Sequence, residues 1–147
     1  MRLTTHTDYA LRVLIYAATS PASLCTIESI SSAYGISRNH LMKIVRRLGE
    51  SGFIETVRGR GGGLKLAKPA HQICIGDVVR EMEDDLTQAE CFRPDQNSCI
   101  ITPACGLKHA FAKALEAYLD ALDQCTLADV ARKQNILSGL LELNVAP

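Results

Sequence analysis

Apolar residues recur three and four apart over residues 8–18, with Leu11, Leu14, Ile15 and Ala18 on one face, and predict a first helix. A second helix is expected from about Thr26 to Tyr34, stopped by Gly35. After Ile36-Ser37, a third runs from Arg38 to about Gly49, with Ser37 placed to cap it. Leu41, Ile44, Val45 and Leu48 form its inner face, leaving Arg38, Asn39, His40, Lys43 and Arg47 outward and Arg46 near the border. Two helices joined by a short turn containing Gly form a helix-turn-helix pattern.

The period then changes. Phe53 to Val57 reads as a strand and Leu64 to Leu66 as another, around Arg58-Gly59-Arg60-Gly61-Gly62-Gly63. Glycines here allow positive φ and close backbone approach, so the segment is a hairpin wing with two arginines at its tip. It is not a phosphate-binding P-loop, because no G-K-[ST] follows and no helix opens there. Arg38, Asn39 and His40 at an exposed helix start suit base edges in a major groove, with Ser37 at the cap and Lys43 and Arg47 as further DNA contacts along the same outward face. Arg58, Arg60 and Gly61 suit a minor groove or phosphates. An ordinary amphipathic surface helix would explain the third helix alone; the adjoining wing makes a DNA-binding head the better account.

Beyond the wing, Ile75 to Glu83 predicts a connecting helix with Val78, Val79 and Met82 apolar. Residues 90–99 are polar, with Pro94 and Asn97, and read as a loop. Thr102 suits an N-cap and Pro103 the first helical position, which sets Cys105 in the first turn of a long helix. Leu107, Ala110, Phe111, Ala114, Leu115, Tyr118, Leu119 and Leu122 make a stripe along it that predicts packing against a second copy. Thr126 to Lys133 predicts a short further helix, and the last residues carry little signal. The expected fold is mainly α with a small β wing: a winged helix-turn-helix head over residues 1–80, then a connecting helix, cysteine loop and dimerisation helix over 81–147.

Charge sharpens that division. The net charge is zero, yet residues 1–80 hold 11 Lys/Arg against 5 Asp/Glu, and residues 81–147 hold 5 against 11. A basic head beside an acidic half is the footprint of a nucleic-acid binder with a separate sensing or dimerising module. With 147 residues, 47% of them hydrophobic, the chain suits one compact domain or a head with an extension. The longest apolar run near the start, Val13 to Ala18, is far short of the roughly 20 residues of a membrane span, so a cytoplasmic protein without a membrane partner is expected. No nucleophile–base signature, H-E-x-x-H or dinucleotide fingerprint appears, which speaks against an enzyme.

Six cysteines in a cytoplasmic chain point to metal or redox chemistry rather than disulfides. Cys91, Cys99 and Cys105 form a C-x7-C-x5-C run, and the positive end of a helix at Cys105 would favour a thiolate. Spacing leaves open an iron–sulfur site, a zinc site or directly oxidised thiols; a tetrahedral zinc site or cubane needs a fourth ligand. His109 is close enough in a helix to be weighed, but suits a surface or interface position. Cys25, Cys74 and Cys125 read as small buried hydrophobes.

Over nearly its whole length the chain resembles the Rrf-two family of winged-helix regulators. The resemblance rests on M-R-L-T-x-x-T-D-Y-A-L-R (1–12), Gly35 to His40, Val57 to Leu64, Ile75 to Arg80 and the three cysteines. I-T-P-A-C-G-L-K (101–108) and L-D-x-x-T-L-A-D (122–129) are similar to the nitric-oxide-sensing branch. Lys108 stands where the cluster-assembly regulators of the family carry a ligating His. The resemblance implies a homodimeric repressor with one iron–sulfur cluster per protomer, 4Fe–4S or alternatively 2Fe–2S. It implies Cys91, Cys99 and Cys105 as ligands, and Asp8 from the first helix of the other protomer as the fourth. It further implies a near-palindromic DNA operator and nitric oxide as the signal. Asp8 has a plainer role as well, since an acid in a helix's first turn stabilises it.

Overall fold

The computed structural model describes residues 2–143. Met1 of the opening motif and positions 144–147 of the second segment lie outside the described residues. α1 (Thr5–Thr19) begins earlier than its apolar period, because the Thr4 side chain accepts from the Thr7 N–H and caps it. Ala10, Val13 and Leu14 are wholly buried, and α1 packs against α3, α4, the second wing strand and the two last helices. It is the central post of the core.

α2 (Ile27–Tyr34) starts on a capping box between Thr26 and Ser29, and ends at Gly35 with φ 64°, a conformation that favours glycine. α3 (Arg38–Glu50) is capped by Ser37 and buries Leu41, Ile44, Val45 and Leu48, the four residues its periodicity selects. β1 (Ile54–Val57) and β2 (Gly63–Leu66) pair antiparallel, with Ile54 opposite Leu66 and Val57 opposite Gly63. Cys25 bridges the other side of β2: its N–H donates to Leu64 O at 2.8 Å and its carbonyl accepts from Leu64 N at 2.7 Å. Gly63 is required there, since a Cβ would lie 2.4 Å from the Cys25 carbonyl oxygen.

α4 (Ile75–Met82) buries Val78, Val79 and Met82 as its pattern predicts. The loop beyond contains two short 3-10 turns, Glu90–Phe92 and Pro94–Gln96. Thr102–Ala104 forms a third, and α5 runs over Gly106–Asp123. Cys105 is therefore the N-cap of α5, not a residue of its first turn. Asn97 engages the Thr102 hydroxyl at 3.1 Å, and the extended backbone of Cys105 (φ −81°, ψ 109°) separates the turn from the helix.

α5 rests on α4, yet buries none of its residues. Leu107 and Phe111 are exposed, and Leu115, Tyr118, Leu119 and Leu122 are half-buried. The short helix predicted from Thr126 to Lys133 divides. α6 (Leu127–Val130) carries a capping box between Thr126 and Asp129, and α7 (Gln134–Leu140) follows it. No helix among the described residues is long and apolar enough to cross a membrane.

Candidate nucleic-acid interface and cysteine loop

Ser37 to His40 open α3 at the surface: all four are exposed, with the Ser37 Oγ accepting from the His40 N–H. Asn39 and Lys43 are exposed on the outer face, and Arg38 crosses to Glu28 of α2 at 2.7 Å. The His40 ring lies 6.5 Å from that of Tyr9, so α1 supports the start of α3 from behind. The two arginines near the helix end exchange the positions expected of them. Arg46 projects outward with its side chain 80% exposed, whereas Arg47 is 32% exposed and turned to Asp84. A 100° step per residue sets Arg46 close to Asn39 and Lys43 around the helix, a signal that was available in the spacing.

The wing presents Arg58, Arg60 and Gly61 at its exposed tip. Gly59 and Gly61 take φ of 103° and 78°, and a Cβ on Gly62 would meet the Val57 carbonyl oxygen at 2.2 Å. These glycines let the hairpin close tightly, with both arginines exposed at its tip. Outer α3 and the wing tip are thus two cationic projections on one winged-helix scaffold.

Behind α3, a polar turn connects the head to the cysteine loop. Glu83, buried at the end of α4, accepts from the Thr4 N–H at 2.7 Å and from its hydroxyl at 3.1 Å. Asp84 holds Arg47 at 2.6 Å, and Asp85 pairs with Arg93 of the loop. His6 lies near both Asp84 and Arg47; burial, then the Arg47 charge, holds its pKa below the ordinary value.

Cys91, Cys99 and Cys105 are free and half-buried, on the first 3-10 turn, in the loop and at the α5 N-cap. Asn97 orders the segment between them, accepting from the Cys99 N–H at 3.2 Å. Among the described residues the three thiols share one segment but do not come within 4.8 Å of one another as a group. Asp8 is half-exposed in the first turn of α1 and is engaged by Arg12 at 2.8 Å. His109 is exposed.

Among the described residues, the group of three or more potential ligands within 4.8 Å of one another lies elsewhere, at Cys74, Asp77 and Asp123. A cation already serves it. Arg80 donates to both Asp123 carboxylate oxygens at 2.7 and 2.6 Å and lies 3.6 Å from Asp77. The Arg80 hydrogen bonds hold the Asp123 carboxyl below its ordinary pKa. Cys74 is consequently not the buried hydrophobe expected: its thiol donates toward Asp123 at 3.6 Å. Cys125 is also only half-buried, whereas Cys25 is fully buried, and burial raises its thiol pKa.

A family model described as Rrf2, an iron-dependent transcriptional regulator, matches residues 3–133. The chain is 51% identical over 142 residues to an HTH-type transcriptional regulator NsrR of Bacillus licheniformis, covering 96% of this chain and 99% of that one. It is 49% identical over 144 residues to the NsrR of Bacillus subtilis, covering 97% and 99%. CymR, the global cysteine regulator of B. subtilis, is similar in structure, with a TM-score of 0.73 and 25% identity over 90% of this chain and 97% of that one. The winged-helix architecture and the match over nearly the whole sequence agree: the chain belongs to the Rrf2 family of transcriptional regulators, which are not enzymes.

Proposed function

We propose that this protein is a DNA-binding repressor that senses nitric oxide through an iron–sulfur cluster and controls nitric-oxide stress genes from the cytoplasm. The observation that carries the sensing part is the set of three free, half-buried cysteines, Cys91, Cys99 and Cys105, on one loop that leads into α5. The identity to proteins named NsrR supports it. Residues 1–80 form the DNA-binding unit and 81–147 the sensing and dimerising one, with the exposed apolar face of α5 meeting its twin.

Cys91, Cys99 and Cys105 would hold one cluster per protomer, 4Fe–4S in preference to 2Fe–2S, with the partner's Asp8 as fourth ligand. When bound, the cluster supplies reactivity toward nitric oxide at its iron. A carboxylate ligand on one iron leaves that iron more open than a fourth thiolate would. The chain itself supplies the coupling. Arg93 ties the cysteine loop to Asp85, Asp84 ties the same turn to Arg47 of α3, and Glu83 ties it to Thr4. A displaced loop therefore reaches the recognition helix through Asp85 and the adjacent Asp84, and the start of α1 through Glu83. On a near-palindromic operator, two copies of Ser37, Arg38, Asn39, His40 and Lys43 would enter successive major grooves. Arg58, Arg60 and Gly61 of each wing would meet the flanking backbone or minor groove.

The test is anaerobic purification, with iron and sulfide content and the visible spectrum followed before and after nitric oxide, and DNA binding measured in parallel. A brown band that bleaches as DNA is released is the expected result. A holoprotein with full iron content after Cys99→Ala would overturn the ligand assignment. A colourless protein that binds DNA until its thiols oxidise would replace the cluster with a thiol switch.

A further inference from the structure

We propose that Arg46 is a DNA phosphate contact of this protein, with Glu50 as the acid that holds it in the absence of DNA. The inference rests on α3 being the recognition helix. Asn39, Lys43 and Arg46 follow one another at steps of four and three, so they form one row along the outer face of α3. Among the ion pairs of the described residues, Arg46 is the most solvent-exposed arginine, with its side chain 80% exposed. Its neighbour Arg47 is committed to Asp84 behind the helix, so the two adjacent arginines have separate roles.

The position selects phosphate over base. Residues at the start of a recognition helix meet base edges, and Arg46 lies eight residues beyond Arg38, roughly 12 Å along the axis. There it lines an open crevice between α3 and the wing, together with Met42, Glu50, Glu55 and Arg58. A cation at the junction of recognition helix and wing, with the wing's own Arg58 across the crevice, is placed for the sugar–phosphate backbone leaving the groove.

Glu50 accepts from the Arg46 Nε at 2.8 Å, with its side chain 61% exposed. An exposed pair of this kind is readily exchanged for a phosphate, because water screens it on every side. The carboxylate left behind repels the incoming backbone. Removing the two charges should therefore change DNA binding in opposite directions, whereas a pair that only braced the helix would make both changes harmful.

The experiment measures affinity by fluorescence anisotropy across a salt series. The probes are the tightest duplex recovered by wild-type protein from a random-sequence pool and a shuffled version of it. Variants are Arg46→Ala, Arg46→Lys, Glu50→Gln, Asn39→Ala and Lys43→Ala, each checked by melting temperature. Arg46→Ala should bind both duplexes about tenfold more weakly, with the salt slope smaller by about 0.9 for each lost contact. Arg46→Lys should recover most of that loss, and Glu50→Gln should bind more tightly than wild type. Arg46→Ala within twofold of wild type, with Asn39→Ala and Lys43→Ala impaired, would overturn the Arg46 assignment and leave α3 as the DNA helix. Loss on the selected duplex alone, with an unchanged slope, would overturn the phosphate assignment in favour of a base contact. No effect from any of the five would remove α3 itself from the interface.

Discussion

Arg47, in the third turn of α3, donates to the Asp84 carboxylate across 2.6 Å, although the two residues are 37 apart in the chain. Through that pair the helix that carries Asn39 and Lys43 is fastened to the turn that leads to the cysteine loop. Asp84 is 86% exposed, so water screens the pair, and its worth to stability is at most about 1 kcal/mol. Its effect is on position and charge.

Asp84→Asn should accordingly leave the melting temperature within a few degrees of wild type, on the order of the exposed-pair energy. The same change removes a negative charge beside α3, and DNA affinity at low salt should rise severalfold. Anisotropy titrations at two salt concentrations check this, and equal or weaker binding at the lower salt would rule out an electrostatic tie.

Gly76 gives a sharper steric test. A Cβ there would lie 1.8 Å from Asp123 Oδ1 and 2.9 Å from Arg80 Nη1, inside the clamp between α4 and α5. Gly76→Ala should displace the Asp123 side chain from Arg80. Because that carboxylate is a movable side-chain end and Ala favours the helix, the net cost in urea unfolding should stay within about 1 kcal/mol. In an Asp123→Ala background the obstruction is gone, and the cost should shrink. Additive losses in that double-mutant cycle would show that the two residues do not meet.

The same clamp sets an acid dependence. Hydrogen bonds from Arg80 hold the Asp123 carboxyl below its ordinary value, so the folded state favours the charged form. Its contribution is fully present above the unfolded carboxyl pKa of about 3.9, and is lost as pH falls through the lower folded value. The melting-temperature gap between wild type and Asp123→Asn should therefore be constant from pH 7 to about 5 and close below about 4. A gap that persists undiminished at the acid end would mean the clamp is not ionic.

Neighbouring residues of α3 should separate core from surface. Leu41 is wholly buried and Met42 is 52% exposed. Leu41→Ala should cost about 2–5 kcal/mol, and Met42→Ala should stay within about 0.5 kcal/mol of wild type. Chemical denaturation of the two variants measures both, and similar losses would place Met42 in the core as well.

Much of the head was legible because its signals are local. The helix start near Thr26, the Gly35 stop and the four inner residues of α3 all lie within one or two turns of what they control. The wing was equally readable, since Gly59 to Gly63 answer to backbone conformation and close approach at their own positions. The cysteine spacing and charge division were also visible in sequence, and the family matched over residues 3–133 is the one whose motifs the chain carries.

The cap at Cys105 was misplaced because Thr102 is drawn to Asn97 rather than to the helix, a competition that local preference does not encode. The sequence by itself determined which segments fold into helices and wing and which faces are apolar, because periods of 3.6 and 2 are properties of neighbouring residues. Tertiary structure decided how those segments are fastened: Arg47 to Asp84, Arg80 to Asp123 and Cys25 to Leu64 join positions 37 to 43 apart. Those choices depend on which charges and backbone edges arrive together once the core around α1 has closed, and periodicity along the chain carries no record of it.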